Sequence, residues 1–419
     1  MSIELTTLPG GIRVITDTVP SVESVALGIW ADVGTRHEDL AHNGVAHMVE
    51  HMMFKGTPAR SAVRIAEEIE NVGGHMNAYT SREVTAYHIH LLREDMPLAL
   101  DVLADIIQNP LLPEEEIVRE RSVIVQEIGM TLDTPDDWVF DLHQEISFPG
   151  QALGAPILGK AEIVQAMGRD TLADYVRRFY TPGRLVVSAA GNLAHRDFVS
   201  RVEALLQNLP QDTPAAITPA AYKGGEARIG KELEQSHIVL GFEGLARTDR
   251  DYYAATTLAT VLGGGMSSRL FQEVREKRGL VYSVFSFHHS YQDAGQFAIY
   301  AGCGESNLPE LIPVLCEEIG KARQPVSAEE LARAKSQLKA SLLMGRESMM
   351  NRAGAQARHL IHFGEILDIR EKIALINALT VDDLARVAAR IFATEPSLAA
   401  LGPLGPLEEF GRIKERLAA

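Results

Sequence analysis

The chain has 419 residues, with 40 Lys and Arg against 56 Asp and Glu, a formal charge of −16 at pH 7. That acidic balance argues against a nucleic-acid binder, which needs a basic face, and 46% hydrophobic with 23% charged residues is the composition of a globular protein. Two cysteines, Cys303 and Cys316, exclude a disulfide framework and a metal site built from four cysteines.

Two buried thiols in a reducing compartment are therefore expected. The opening Met1-Ser2-Ile3-Glu4-Leu5 has neither a basic nor an apolar leader region, and no 18-residue window is apolar and uncharged. A cytoplasmic protein without a membrane span is the expectation.

Alternating apolar residues predict strands over Ile12–Ile15 and Ser24–Trp30. Helices are predicted over Val45–Phe54 and Ala62–Val72, the second stopped by Gly73-Gly74. A polar strand is expected from Met76 to Leu91, followed by helices over Met96–Gln108 and, after Pro113, Glu114–Met130. The stretch Leu209–Glu226 holds Pro210, Pro214, Pro219 and Lys223-Gly224-Gly225, and reads as a linker at mid-chain. A faint repeat spans it: Leu112–Arg121 is similar to Val326–Lys335, 214 residues later, and each follows a helix that starts near a proline, Pro97 or Pro309. The expected fold is α+β, with two homologous domains, each a mostly antiparallel sheet packed with helices. Their expected ranges are 1–210 for the first domain, 211–226 for the linker and 227–419 for the second.

The segment Gly44-Val45-Ala46-His47-Met48-Val49-Glu50-His51 carries the chemistry. On a helix, positions i and i+4 share a face, so His47 and His51 can present two imidazoles to one metal ion. Glu50 lies beside the pair, able to reach a water on the metal without being a ligand. Zn2+ lowers the pKa of such a water to about 7, and a carboxylate can take its remaining proton. His-x-x-Glu-His is the inverted zinc-protease motif. A catalytic zinc site needs a third protein ligand, and the 114–130 helix offers Glu120 and Glu127, two turns apart on a face that Ile117 and Ile124 turn inward. Shifting these two acids by 214 gives Ala334 and Ser341, and the segment matching the His helix, Tyr253–Leu262, has neither His nor Glu. Only the first half holds the ionisable set.

These residues resemble the pitrilysin-type zinc metallopeptidases. The resemblance rests on Gly34-Thr35-Arg36, on Gly44-x-Ala46-His47-x-x-Glu50-His51-x-x-Phe54-Lys55-Gly56-Thr57, on Asn77-Ala78-Tyr79-Thr80, on Glu120 and Glu127, and on Gly263-Gly264-Gly265-Met266-Ser267-Ser268-Arg269-Leu270-Phe271. It covers nearly the whole chain and is closest to the short bacterial members and the catalytic subunit of mitochondrial processing peptidase. It implies His47, His51 and Glu127 as zinc ligands, Glu50 as general base and Glu120 as an acid that orients a ligand. Asn77 and Ala78 match the family's edge strand, on which an extended peptide adds itself as a further strand. Arg275 and Tyr282 match a pair that reaches substrate and the oxyanion across a closed clamp of two domains; on their own these two residues read rather as an ordinary surface ion pair and a core tyrosine. The resemblance also implies a homodimer.

The function expected is a zinc-dependent endopeptidase acting on unfolded peptides or presequences. The alternative is a non-catalytic core or chaperone-like subunit on the same fold, against which the intact His47, Glu50, His51 and Glu127 argue. Both presequence processing and general peptide clearance fit this pattern of residues.

Overall fold

The computed structural model describes residues 2–211 and 217–418; Pro214 of the expected linker lies outside them. In chain order the elements begin with strands β1 (Ser2–Thr7), β2 (Arg13–Thr18) and β3 (Ser24–Ala31), then helices α1 (Val45–Met52) and α2 (Ala62–Glu70). Strands β4 (His75–Thr80) and β5 (Thr85–Leu92) precede α3 (Met96–Gln108), α4 (Glu114–Leu132), α5 (Pro135–Ser147), α6 (Ala161–Ala166) and α7 (Arg169–Phe179). Strand β6 (Leu185–Gly191) and α8 (His195–Leu205) close the first half of the sequence. The second half runs β7 (Gly225–Gly230), β8 (Ser236–Glu243), α9 (Tyr252–Gly263), β9 (Val281–Ser290), β10 (Gly295–Cys303), α10 (Leu308–Ala322) and α11 (Ala328–Met344). It ends with α12 (Met349–Phe363), α13 (Ile369–Ala378), α14 (Val381–Ile391), β11 (Ser397–Gly402) and α15 (Phe410–Ala418).

Among the described residues the strands form two sheets, in the orders β1-β2-β6-β3-β5-β4 and β7-β11-β8-β10-β9. All neighbours are antiparallel except β2 with β6 and β7 with β11. The α+β architecture is thus a pair of mixed, mostly antiparallel sheets, each carrying helices. The polar strand expected over 76–91 is instead a hairpin. Ser81 turns the chain by accepting and donating with Val84, so β4 and β5 pair back on each other.

Each sheet is covered on both faces, which is why β3 and β6 are apolar almost throughout. Alternate residues sort cleanly. Val25, Leu27 and Ile29 of β3 join the larger core with α1 and α3, whereas Ala26 and Trp30 face the opposite side. That opposite side is capped by Met349, Ala353, Ala357 and Leu360 of α12. In the second sheet Ile238, Leu240 and Phe242 join the larger core, and Val239 meets Val139 of α5 on the other face.

The helices α5 and α12 therefore each lie with the sheet of the other half of the sequence, and this corrects the expected domain ranges. Among the described residues, one compact unit lies within 1–129, 155–218 and 343–367, and the other within 130–154, 219–342 and 368–419. One crossing, between Thr218 and Pro219, falls within the 211–226 stretch, but 130–154 and 343–367 are exchanged between the halves. Local sequence patterns do not say which sheet a helix will cover.

Cys303 and Cys316 are both buried and free, and burial pushes their thiols up to about 11 and about 12. Among the described residues no helix is long and apolar enough to cross a membrane.

Burial also sets an acid limit. His143 of α5 is enclosed against the second sheet with Nε2 2.8 Å from Ser397 Oγ, and burial, with a smaller contribution from His289, holds it down to about 3. Its unfolded counterpart titrates near 6.5. Stability is thus fully present above about pH 6.5 and declines as pH falls toward 3, because the unfolded chain takes a proton that the folded one refuses. The midpoint of urea unfolding should drop between pH 7 and pH 5, and drop less in His143→Gln; an equal drop in both proteins would remove His143 from the account.

Candidate metal centre

Helix α1 carries His47, Glu50 and His51 and packs on β4 and α7. It starts at Gly44 with φ of 95°, where an added Cβ would meet Gly159 Cα and Leu158 O at 2.9 Å, so only glycine fits this entry. Its apolar residues Val45, Met48, Val49 and Met52 are buried, which fixes its rotation and directs the histidines toward α4. On α4, Ile117, Glu120 and Ile124 are buried, whereas Glu127, two turns on from Glu120, is only half-buried.

His47 Nε2 and His51 Nε2 each lie 3.8 Å from the same oxygen, Glu127 Oε2. The two imidazole centroids are 4.6 Å apart. Among the described residues these three side chains are the group whose donor atoms could hold a metal ion, all within 4.8 Å of one another. Two imidazoles, one carboxylate and an open side is the donor set of a catalytic zinc site. Burial, with the neighbouring His51, holds His47 down to about 4, so its imidazole is neutral at pH 7, the form that ligates.

Glu120 donates nothing to this set directly. Its Oε2 is 2.9 Å from His51 Nδ1, and its Oε1 accepts from Lys55 Nζ at 2.6 Å. Burial would raise this carboxyl, but Lys55 and His51 outweigh it and hold Glu120 below the usual range. A charged carboxylate on Nδ1 fixes the tautomer that leaves Nε2 free for the metal. Lys55 was not assigned a role from the sequence, although it stands four residues after His51, where a helical turn could have flagged it.

Glu50, on α1 directly before His51, has its Oε2 buried and without a hydrogen-bond partner. Burial raises its carboxyl; Thr80 and His51 oppose the rise and Glu127 adds to it. A buried carboxylate oxygen without a partner keeps its capacity to accept a proton.

Asn77 and Ala78 lie on β4, opposite His88 and Tyr87 of β5. Strand β4 is the end strand of its sheet, so among the described residues its outer edge has no neighbouring strand. Arg275 and Tyr282 belong to the other unit and lie together there. The Arg275 guanidinium stacks over the Phe271 ring at 4.7 Å and the Tyr282 ring at 5.4 Å. Tyr282 is 76% exposed, so it is not a core tyrosine. Nearby, within that same unit, a cleft of about 620 Å3 is lined by Asp136, Asp137 and Glu234 together with Phe140, Tyr282 and Phe285.

Two family models match consecutive parts of the chain. Residues 13–161 match the one described as insulinase, peptidase family M16, and residues 166–338 match the peptidase M16 inactive domain. A protein named as an uncharacterized zinc protease from Streptomyces coelicolor is 42% identical, covering 96% of this chain and 90% of its own length. A Bacillus subtilis protein named as the uncharacterized zinc protease YmxG is 37% identical, covering 95% and 98%. The crystal structure of a Helicobacter pylori protease superposes with a TM-score of 0.88 at 24% identity, over 96% of this chain and 99% of that one. The chain belongs to peptidase family M16, with two domains of that family's type.

Proposed function

We propose that this protein is a zinc-dependent endopeptidase that hydrolyses unfolded peptides or presequences. The observation that carries the reading is the convergence of His47 Nε2, His51 Nε2 and Glu127 Oε2 beside the unpartnered Glu50 oxygen. His47, His51 and Glu127 would hold the metal. Zinc, when bound, supplies a Lewis acid and makes a water nucleophilic near neutral pH. Glu50 takes the proton of the attacking water and returns it to the leaving amine. The pair Lys55 and Glu120 keeps His51 Nδ1 engaged, so Nε2 keeps its direction.

Substrate would lie extended along the open edge of β4 at Asn77 and Ala78, held chiefly through its backbone, which permits varied sequences. Arg275 and Tyr282 are the proposed donors to the oxyanion: a guanidinium and an exposed phenol, kept together by stacking. The proposed cytoplasmic location rests on the two free, buried cysteines. The homodimer rests on the family resemblance.

The charge of −16, with Asp136, Asp137 and Glu234 in one aromatic-lined cleft, favours basic substrates. Purified protein incubated with a mixed peptide library at low salt should yield cuts, mapped by mass spectrometry, that favour Lys- and Arg-containing peptides. That preference should shrink as salt rises. Equal cleavage of basic and acidic peptides at low salt would end the charge argument, and no cleavage of any peptide by zinc-loaded protein would end the peptidase reading.

A further inference from the structure

The two proposed histidine ligands are not held alike. His51 has Glu120 on its Nδ1. His47 Nδ1 is buried and has no hydrogen-bond partner, so its direction rests on the helix that carries it. That helix is only eight residues long, too short to be stable by itself, and His47 stands in its first turn. Gly44, which starts the helix, brings no capping side chain.

The cap comes from elsewhere in the loop. Glu38 accepts from Gly44 N–H at 3.0 Å and Asn43 Nδ2 at 3.0 Å through Oε2, and from Ala46 N–H at 2.8 Å through Oε1. Both carboxylate oxygens are in use, and the residue is buried. A carboxylate also suits the positive end of a helix dipole. Burial pushes this carboxyl up to about 7, against the pull of its three donors.

The loop holding Glu38 is itself anchored. Thr35 N–H donates to Ser81 O at 3.1 Å and Arg36 N–H to Arg82 O at 2.9 Å, while the Arg36 guanidinium pairs with Glu83 at 2.7 Å. Residues 81–84 form the turn between β4 and β5. The same short loop thus grips the hairpin of the proposed substrate strand at one end and the first turn of α1 at the other.

We propose that Glu38 is a positioning residue of the metal site: by capping α1 it sets the direction of His47 Nε2. The proposal rests on the zinc assignment above and deepens it. Glu38→Gln tests it, since the volume is kept but one accepting oxygen becomes an NH2 group facing an N–H donor. Zinc affinity, read by competition with a chromophoric chelator, should fall roughly tenfold to a hundredfold, and the visible bands of the Co2+-substituted protein should shift. Wild-type affinity together with unchanged Co2+ bands would overturn it. Should Glu38→Gln fail to fold, Glu38→Asp, which keeps both oxygens on a shorter arm, is read by the same two measurements with the same criteria. Wild-type protein without stoichiometric zinc, or His47→Ala retaining full zinc affinity, would instead overturn the zinc assignment and this inference with it.

Discussion

Glu50→Gln protein should bind zinc as the wild type does and lose about two to four orders of magnitude in kcat/KM on any peptide the wild type cleaves. Gln keeps the shape of the side chain but cannot accept a proton. Glu50 does not belong to the converging donor set of His47, His51 and Glu127, so its replacement leaves those atoms in place. Among the described residues the two nearest acids are already engaged: Glu120 is occupied by Lys55 and His51, and Glu127 is the proposed third ligand. The measurement is zinc content together with steady-state kinetics. Full activity in zinc-loaded Glu50→Gln would remove Glu50 as the base.

The second large effect concerns the exchanged helices. Cutting the gene between Thr218 and Pro219 leaves the first fragment without α12, which is part of its own compact unit. Trp30, Ile15, Val186 and Ala190 would then face water on one side of the sheet, where Met349, Ala353, Ala357 and Leu360 now cover them. Asp17, buried against Arg352 at 2.7 Å, would lose its partner, and Ser188 Oγ would lose the Ala353 carbonyl. Each large apolar side chain uncovered costs about 1.5–3 kcal/mol, and a domain is stable by only about 5–15 kcal/mol in all. The fragment 1–218 should therefore be insoluble or unfolded alone. The second fragment lacks α5 in the same way, and loses Val139 and His143 from its sheet. Produced together, the two fragments should form one soluble complex with zinc bound. A cooperative, wild-type-like unfolding transition for 1–218 alone would contradict this account.

Loss of α12 should also disturb substrate binding, because Arg358 of that helix donates to Tyr79 Oη, which also accepts from Trp30 Nε1. Tyr79 lies on β4 next to Ala78. The edge strand proposed for substrate is thus steadied from behind by a segment some 280 residues away in sequence.

The sequence by itself determined what depends on short range. The His47, Glu50 and His51 constellation was legible because a helix puts positions three and four apart on one face. The spacing of Glu120 and Glu127 was legible for the same reason, with Ile117 and Ile124 marking which side turns inward. Two sheets with helices followed from alternating apolar runs and a faint repeat. The hairpin between β4 and β5 was missed because its turn, Ser81-Arg82-Glu83-Val84, holds no glycine, proline or asparagine.

Tertiary structure alone decided the rest. It brought Glu127 Oε2 to equal distance from both histidines, set Lys55 on Glu120, and supplied Glu38 as a cap from outside the helix. It also gave α5 and α12 to the sheets of the opposite halves. These are contacts through space between groups that local pattern treats as independent. An amphipathic helix states only that one side must be covered, and which surface covers it depends on the whole packed chain.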